Sequence, residues 1–292
     1  MNDEQNTLES TDNASVNAAV QAACRNCGAT LRGQFCAVCG QKEVDLNPTM
    51  LDFMHEVWHE LMHVDGKLIP SVRLLINAPG ALTLEHYEGR RARYISPMRM
   101  YLVFSILYFA VAAFTPDTNL NITVGADPST GWTFEPRPVE KHSDPDELRK
   151  LGFESDVELR QATSDAIMHW LPRMMFLLVP LFAALTGLAT RRLQWNYPRH
   201  VHFTLHLHAA WFLLLTISTT AWVIPYQWIG SVISSIVAVS IVVYFVLALR
   251  RTYSLTTGDA LWRAMAVGVS YSVLLILAVI IIVLPIVING KT

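Results

Sequence analysis

An all-α protein that crosses a membrane about five times, carrying a small four-cysteine zinc ribbon near its N-terminus, is the fold class this sequence predicts. Three observations carry it. Five apolar runs after Pro97 are each long enough to span hydrocarbon. Arginines concentrate in alternate connections between those runs. All four cysteines sit in two CxxCG knuckles, Cys24-Arg-Asn-Cys27-Gly28 and Cys36-Ala-Val-Cys39-Gly40. With 52% hydrophobic and 16% charged residues and a mean hydropathy of +0.32, the chain is too apolar for an ordinary soluble domain. A formal net charge of −2 gives nucleic-acid binding no support, and none is expected.

Taken in order, residues 1–22 are polar and poor in aromatics, which predicts a disordered tail. They hold no basic stretch followed by an apolar core, so no secretory signal is expected there. Residues 23–42 form the ribbon. In each knuckle two thiolates reach one ion, so Cys24, Cys27, Cys36 and Cys39 are the candidate ligands of a tetrahedral Zn²⁺. Thiolates free to bind zinc imply a reducing compartment, hence a cytoplasmic N-terminus. The alternative, two disulfides, needs an oxidising one.

Residues 47–96 read as amphipathic helices lying on the cytoplasmic leaflet. Asn47-Pro48 is a helix start, and Leu51, Met54, Trp58, Leu61 and Met62 then recur at helical spacing to about Val64. A second helix begins near Lys67 and stops at Asn77-Ala78-Pro79-Gly80; a third holds Leu82, Leu84, His86 and Tyr87 and ends at Gly89. Arg90, Arg91 and Arg93 follow. They are candidate contacts to anionic headgroups, worth about 1 kcal/mol each near the surface, and they also set topology.

Residues 97–289 form the transmembrane domain, with predicted spans at Met98–Phe114, Trp170–Ala189, Phe203–Val223, Trp228–Leu249 and Ala264–Ile288. Pro172 and Pro180 are expected to kink the second span. Arg90, Arg91, Arg93 and Arg99 flank the first span, Arg191, Arg192 and Arg199 separate the second and third, and Arg250, Arg251 and Arg263 separate the fourth and fifth. The turn at Pro225-Tyr226-Gln227 has no lysine or arginine. Positive charge inside then predicts a cytoplasmic N-terminus and an external C-terminus. Residues 115–170 become the external segment, a Pro/Gly-rich loop followed by short amphipathic helices through Leu148, Leu151, Val157, Leu159 and Ala162.

This order of parts resembles an uncharacterised bacterial multi-pass membrane-protein family with an N-terminal zinc ribbon. The pieces that carry the resemblance are the knuckles ending Cys39-Gly40-Gln41-Lys42, then His63-Val-Asp65-Gly66, Pro79-Gly80, Glu85-His-Tyr87-Glu-Gly89-Arg90-Arg-Ala-Arg93-Tyr94-Ile-Ser-Pro97, and His206-Leu-His208 in the third span. The resemblance implies a bacterial inner-membrane location. The family is one of unknown function, so it carries over no catalytic residues.

Seven of the ten histidines fall in two groups. His55-Glu56-Val57-Trp58-His59 is an HExxH sequence on a predicted helix, followed by His63; in zinc peptidases that spacing gives two imidazole ligands and a glutamate general base. His55 and His63 are about 12 Å apart along a straight helix, too far to share an ion. The second group is His200, His202, His206 and His208, with His202 and His206 on one face where the third span enters the membrane. A second metal site drawing on His55, His59, His202 and His206 is one reading; histidines that bridge helices or sit among headgroups are the other. Span interiors hold almost no Asp, Glu, Lys or Arg, which disfavours ion-coupled transport. The expected role is therefore a regulatory or assembly component docking a protein partner, or a second copy, through its ribbon. A zinc-dependent membrane hydrolase with Glu56 as base is the alternative, a transporter comes last, and no small-molecule substrate is identified.

Overall fold

A computed structural model describes residues 23–43, 49–51, 67–115, 153–193 and 196–289. The predicted helix from Asn47 to Val64, with His55, Glu56 and His59, lies almost entirely outside the described residues. Among the described residues the named elements are α1 (Leu68–Asn77), α2 (Ala81–Tyr87), α3 (Pro97–Phe114), α4 (Asp156–Thr190), α5 (Tyr197–Ala221), α6 (Gln227–Thr252) and α7 (Thr257–Asn289). Helices α3 to α7 supply five stretches long and apolar enough to cross a membrane.

Two of these helices start with a polar cap and a proline. Ser96 accepts from the Arg99 amide ahead of Pro97, and Asn196 accepts from the Arg199 amide ahead of Pro198. The helices outrun their apolar stretches. At 35 residues α4 is about 50 Å long, well beyond the hydrocarbon thickness. It runs unbroken through Pro172 and Pro180 and back to Asp156. The short separate helices expected through Leu159 and Ala162 are thereby corrected: from Asp156 onward that stretch is the first part of α4. Its start is capped by Ser155, which accepts from the Glu158 amide at 3.3 Å while Glu158 accepts from the Glu154 amide at 2.8 Å.

Helix α5 is the hub. In its most apolar window 67% of residues are buried inside the protein, against 22% in α6 and in α7. Tyr101 of α3 meets Phe212 of α5, and Phe182 of α4 lies among His208, Trp211, Phe245 and Tyr271. Helices α5 and α6 are tied by the Ser218–Ser234 hydroxyl pair at 2.8 Å and by Trp222 Nε1 donating to Ser234 at 3.1 Å. The broad apolar exteriors of α6 and α7 (Val239, Val243, Ile276, Ile281) are what lipid would cover.

Helices α1 and α2 form a hairpin packed on the bundle, and this amends the expectation that they simply rest on a leaflet. Tyr244 of α6 donates to the Leu75 carbonyl at 2.8 Å, and Arg251 donates to the Pro79 carbonyl at 3.2 Å. Ser71, buried in α1, accepts from the Ile95 amide at 3.0 Å and so fixes the elbow leading into α3. Apolar surface remains exposed on α1 at Leu68, Ile69 and Ile76. One face of the hairpin is therefore taken by the bundle, and the other stays open to a membrane surface.

The up-and-down order brings the starts of α3, α5 and α7 and the ends of α4 and α6 to one end. Arg263 donates to the Ala189 carbonyl across it. Arg90, Arg91, Arg93, Arg99, Arg191, Arg192, Arg199, Arg250, Arg251 and Arg263 all belong to this end.

Candidate functional site

The four cysteines converge. Their sulfur atoms all lie within 4.8 Å of one another, with Cys24–Cys39 at 3.6 Å and Cys27–Cys36 at 3.5 Å. A tetrahedral ion with bonds of about 2.3 Å sets its sulfurs about 3.8 Å apart, whereas a disulfide needs about 2.05 Å. All four are free thiols, so the donor set fits one metal ion.

The backbone explains the convergence. The Gly28 amide donates to the Cys24 carbonyl and the Cys24 amide to Ala29; in the second knuckle Gly40 donates to Cys36 and Cys36 to Gln41. Each closure needs a left-handed residue after the second cysteine, supplied by Gly28 at φ +77° and Gly40 at φ +71°. The amides of Cys39 and Val38 pull the Cys36 thiol below its ordinary pKa, and the Gln41 amide brings Cys39 down to about 6. At these two positions main-chain dipoles favour thiolate, the form that binds metal. At Cys27 the Ala29 amide pulls the same way, but burial and the neighbouring thiols push the thiol up to about 12. Cys24 and Cys36 are buried, while Phe35 and Val38 on the second knuckle are 61% and 74% exposed.

The Gln41 side chain latches the module to the rest of the chain. Gln41 is buried, donates from Nε2 to the Gly89 carbonyl at 2.6 Å, and accepts at Oε1 from the amides of Arg91 (3.1 Å) and Ala92 (2.9 Å). It thereby satisfies the elbow between α2 and α3, where no helix partner is available. Beside the latch, Arg90 is engaged by Glu85 at 2.6 Å and by Glu88, and Arg90 holds the Glu85 carboxyl below its ordinary range. Arg93 is exposed.

The histidines of α5 are all buried, and they reach three different parts of the fold. His200 bonds the Tyr253 hydroxyl at 2.7 Å. His206 Nδ1 pairs with the Thr83 hydroxyl of α2 at 3.0 Å. His208 donates from Nδ1 to the Thr204 carbonyl at 2.9 Å, which fixes its tautomer and leaves Nε2 to accept from Tyr271 of α7 at 3.0 Å. His202 faces His86 of α2, ring centres 4.4 Å apart, and His206 lies 6.2 Å from the same ring. Gly187 gives α4 room at this layer, since a β-carbon there would meet His200 at 3.1 Å. His202 and His206 therefore come together with His86, and among the described residues Nε2 of His86 and of His206 have no hydrogen-bond partner. Their place relative to His55 and His59 falls outside the described residues. Among the described residues, the four cysteines are the group whose ligand atoms close on one point.

Residues 65–109 match a family model described as Protein of unknown function (DUF3667). The match spans α1, α2, the elbow and most of α3, which includes Thr83, His86 and the main-chain partners of Gln41. No curated protein and no solved structure matches the chain.

Sequence pattern left three contributors unassigned. Gln41 read as the residue after a knuckle, Gly80 as a helix stop, and His86 as one member of an amphipathic helix. For His86 the signal was its place four residues after Leu82, on the face that becomes buried.

Burial holds the His86 imidazole well below its ordinary pKa, and His202 and Arg91 push the same way. Docked α2 therefore keeps His86 neutral, while released α2 binds a proton below about pH 6.5. The released state binds more protons, so docking is at full strength above that pH and weakens as pH falls towards the depressed value. After correction for intrinsic rates, amide exchange in residues 81–88 is expected to rise by up to about tenfold per pH unit below 6.5. His86→Phe should lessen that slope by the share of one proton; an unchanged slope in the variant would show that His86 does not contribute to it.

Proposed function

We propose that this chain is a multi-pass protein of a bacterial cytoplasmic membrane, with its N-terminus and arginine-bearing end in the cytoplasm. Its cysteine module holds Zn²⁺, and the protein works as a non-enzymatic regulatory or assembly component that docks a protein partner through that module. The observation that carries the reading is the pairing of a converged four-thiol site with exposed Phe35 and Val38 on the same knuckle. A module this small draws its stability from metal and not from a core, so it can leave apolar residues outside as a contact surface. The arginine distribution and the reducing environment that thiols need both support the orientation. Arg91 and Arg93 beside the latch would keep this end against anionic headgroups.

The test is a photo-crosslinking residue at position 38 in membranes of growing cells. A discrete adduct is expected, either with another protein or with a second copy, and Phe35→Glu should remove it without changing membrane level or metal content. Absence of any adduct at positions 35 and 38 would contradict docking through this face. Under the same reading Glu56→Gln is silent in growth and in adduct formation; a loss as severe as deletion would favour the HExxH hydrolase instead.

A further inference from the structure

We propose that the cavity between the cysteine module and the arginine-bearing end of the bundle binds a phosphate-bearing anion, the headgroup of an anionic phospholipid, and that the metal-held first knuckle supplies one of its cations. The cavity is an open recess of about 710 Å³, roomy enough for a headgroup that stays partly in solvent. Its walls come from the module, the end of α2, the segment after α4, the start of α5 and the end of α6. Three arginines line it, Arg25, Arg90 and Arg199, against the carboxylate of Glu88 in its wall and that of Glu85 on Arg90, which leaves the site net positive. Arg90 is bonded to both Glu85 and Glu88, and the positive charge of Arg25 and Arg199 adds to it.

These two are held differently. Arg199 lies over the Tyr87 ring, 5.0 Å from its centre, and the Tyr87 hydroxyl donates to the Arg199 carbonyl. The guanidinium is thus positioned by an aromatic ring on α2. Arg25 sits between Cys24 and Cys27, so the metal-binding turn itself sets where it projects. An arginine fork suits a phosphate oxygen pair better than a lone cation of any other kind.

The choice of a lipid source rests on where the cavity lies. Thr252 and Tyr253 in its wall stand at the end of the apolar α6, and Arg199 stands at the start of α5, the depth at which headgroups meet a spanning helix. Leu84 and Leu193 line it beside the charges. A second cavity of about 490 Å³, bordered by Arg250 and Arg251, shares Ser254 with the first and extends the positive field along the same level. A phosphate on an acyl-chain anchor is presented to such a site at high local concentration; free phosphate is not.

This inference builds on the zinc-held module of the proposed function, and its test separates the two. Full-length, metal-loaded protein in detergent is titrated with short-chain phosphatidylglycerol, phosphatidylcholine and inorganic phosphate, with bound ligand counted by native mass spectrometry. Phosphatidylglycerol is expected to bind in preference to phosphatidylcholine and to resist displacement by equimolar inorganic phosphate. Arg25→Gln and Arg199→Gln should each weaken it about fivefold with metal content unchanged, while Arg32→Gln, outside the cavity wall, should not. Metal removal should weaken it as much as Arg25→Gln does. Equal binding of the two lipids, or full retention in the Arg25→Gln/Arg199→Gln double variant, would overturn the site. Ready displacement by inorganic phosphate would overturn the lipid source, and indifference to metal removal would overturn the role of the knuckle. None of these results changes the adduct expected at position 38, which reports on docking alone.

Discussion

Cys36→Ser is expected to abolish metal binding and to unfold residues 23–42. Cys36 is buried, its thiol receives main-chain donors, and its sulfur stands 3.5 Å from that of Cys27. Metal contributes on the order of 10 kcal/mol to folding in modules of this kind, more than so small a shell can replace. The loss should travel further than the module, because Gln41 follows the second knuckle and carries all three of its bonds to the Gly89–Ala92 elbow. In limited proteolysis of the purified protein, trypsin should cut first at Arg25 and Arg32 and then at Arg90 to Arg93, with α3 to α7 remaining resistant. Gln41→Leu separates the two effects. It strands the elbow amides at a cost of about 2–3 kcal/mol, so the elbow should become cleavable while the module keeps its metal. A Cys36→Ser protein with a protected elbow would show that the latch does not depend on the folded module.

Gly80→Val is expected to be the most damaging single change in the α1–α2 hairpin, roughly 3–5 kcal/mol. Gly80 has φ +79°, and a β-carbon there would stand 2.7 Å from the Ala248 carbonyl oxygen and 2.8 Å from the Thr252 hydroxyl. The first obstacle is α6 backbone, which cannot swing aside as a side chain can. The hairpin would have to leave α6, breaking Tyr244–Leu75 and Arg251–Pro79 and uncovering His86, His202 and His206. A Gly28→Val control isolates the cause, since φ there is +77° and no atom of the described residues lies within 4 Å of the added carbon. It should cost about 1–2 kcal/mol. Thermal unfolding in detergent distinguishes them, and equal midpoints for wild type and Gly80→Val would contradict the packing of the hairpin.

Much of the architecture was legible because membranes impose simple rules. Apolar length reveals a span, and all five predicted spans coincide with helices of the structure. Span ends were less legible, for a physical reason: hydropathy sees lipid contact, not hydrogen bonding. Helix α7 starts at Thr257 and not at Ala264, and α4 starts at Asp156 and not at Trp170. For α4 a local signal was present in Ser155-Asp-Val-Glu158, a start pattern that the surrounding loop-like composition obscured.

The candidate site divides in the same way. The cysteines were readable because a knuckle is a local motif, closed by its own backbone bonds. The partners of the α5 histidines were not, since Thr83, His86, Tyr253 and Tyr271 lie far off in sequence and meet α5 only once the bundle forms. The latch was hidden for a similar reason. Nothing local marks Gln41 out, because its partners are main-chain groups about fifty residues away.

Metal stoichiometry tests the central claim most directly. Intact-protein mass spectrometry under native conditions, on protein purified without added metal, should find one zinc per chain. It should find none in Cys36→Ser and one still in His202→Ala and His206→Ala. A wild-type chain without metal and with its four thiols oxidised would contradict the account, and so would zinc that survives Cys36→Ser but leaves with His206→Ala.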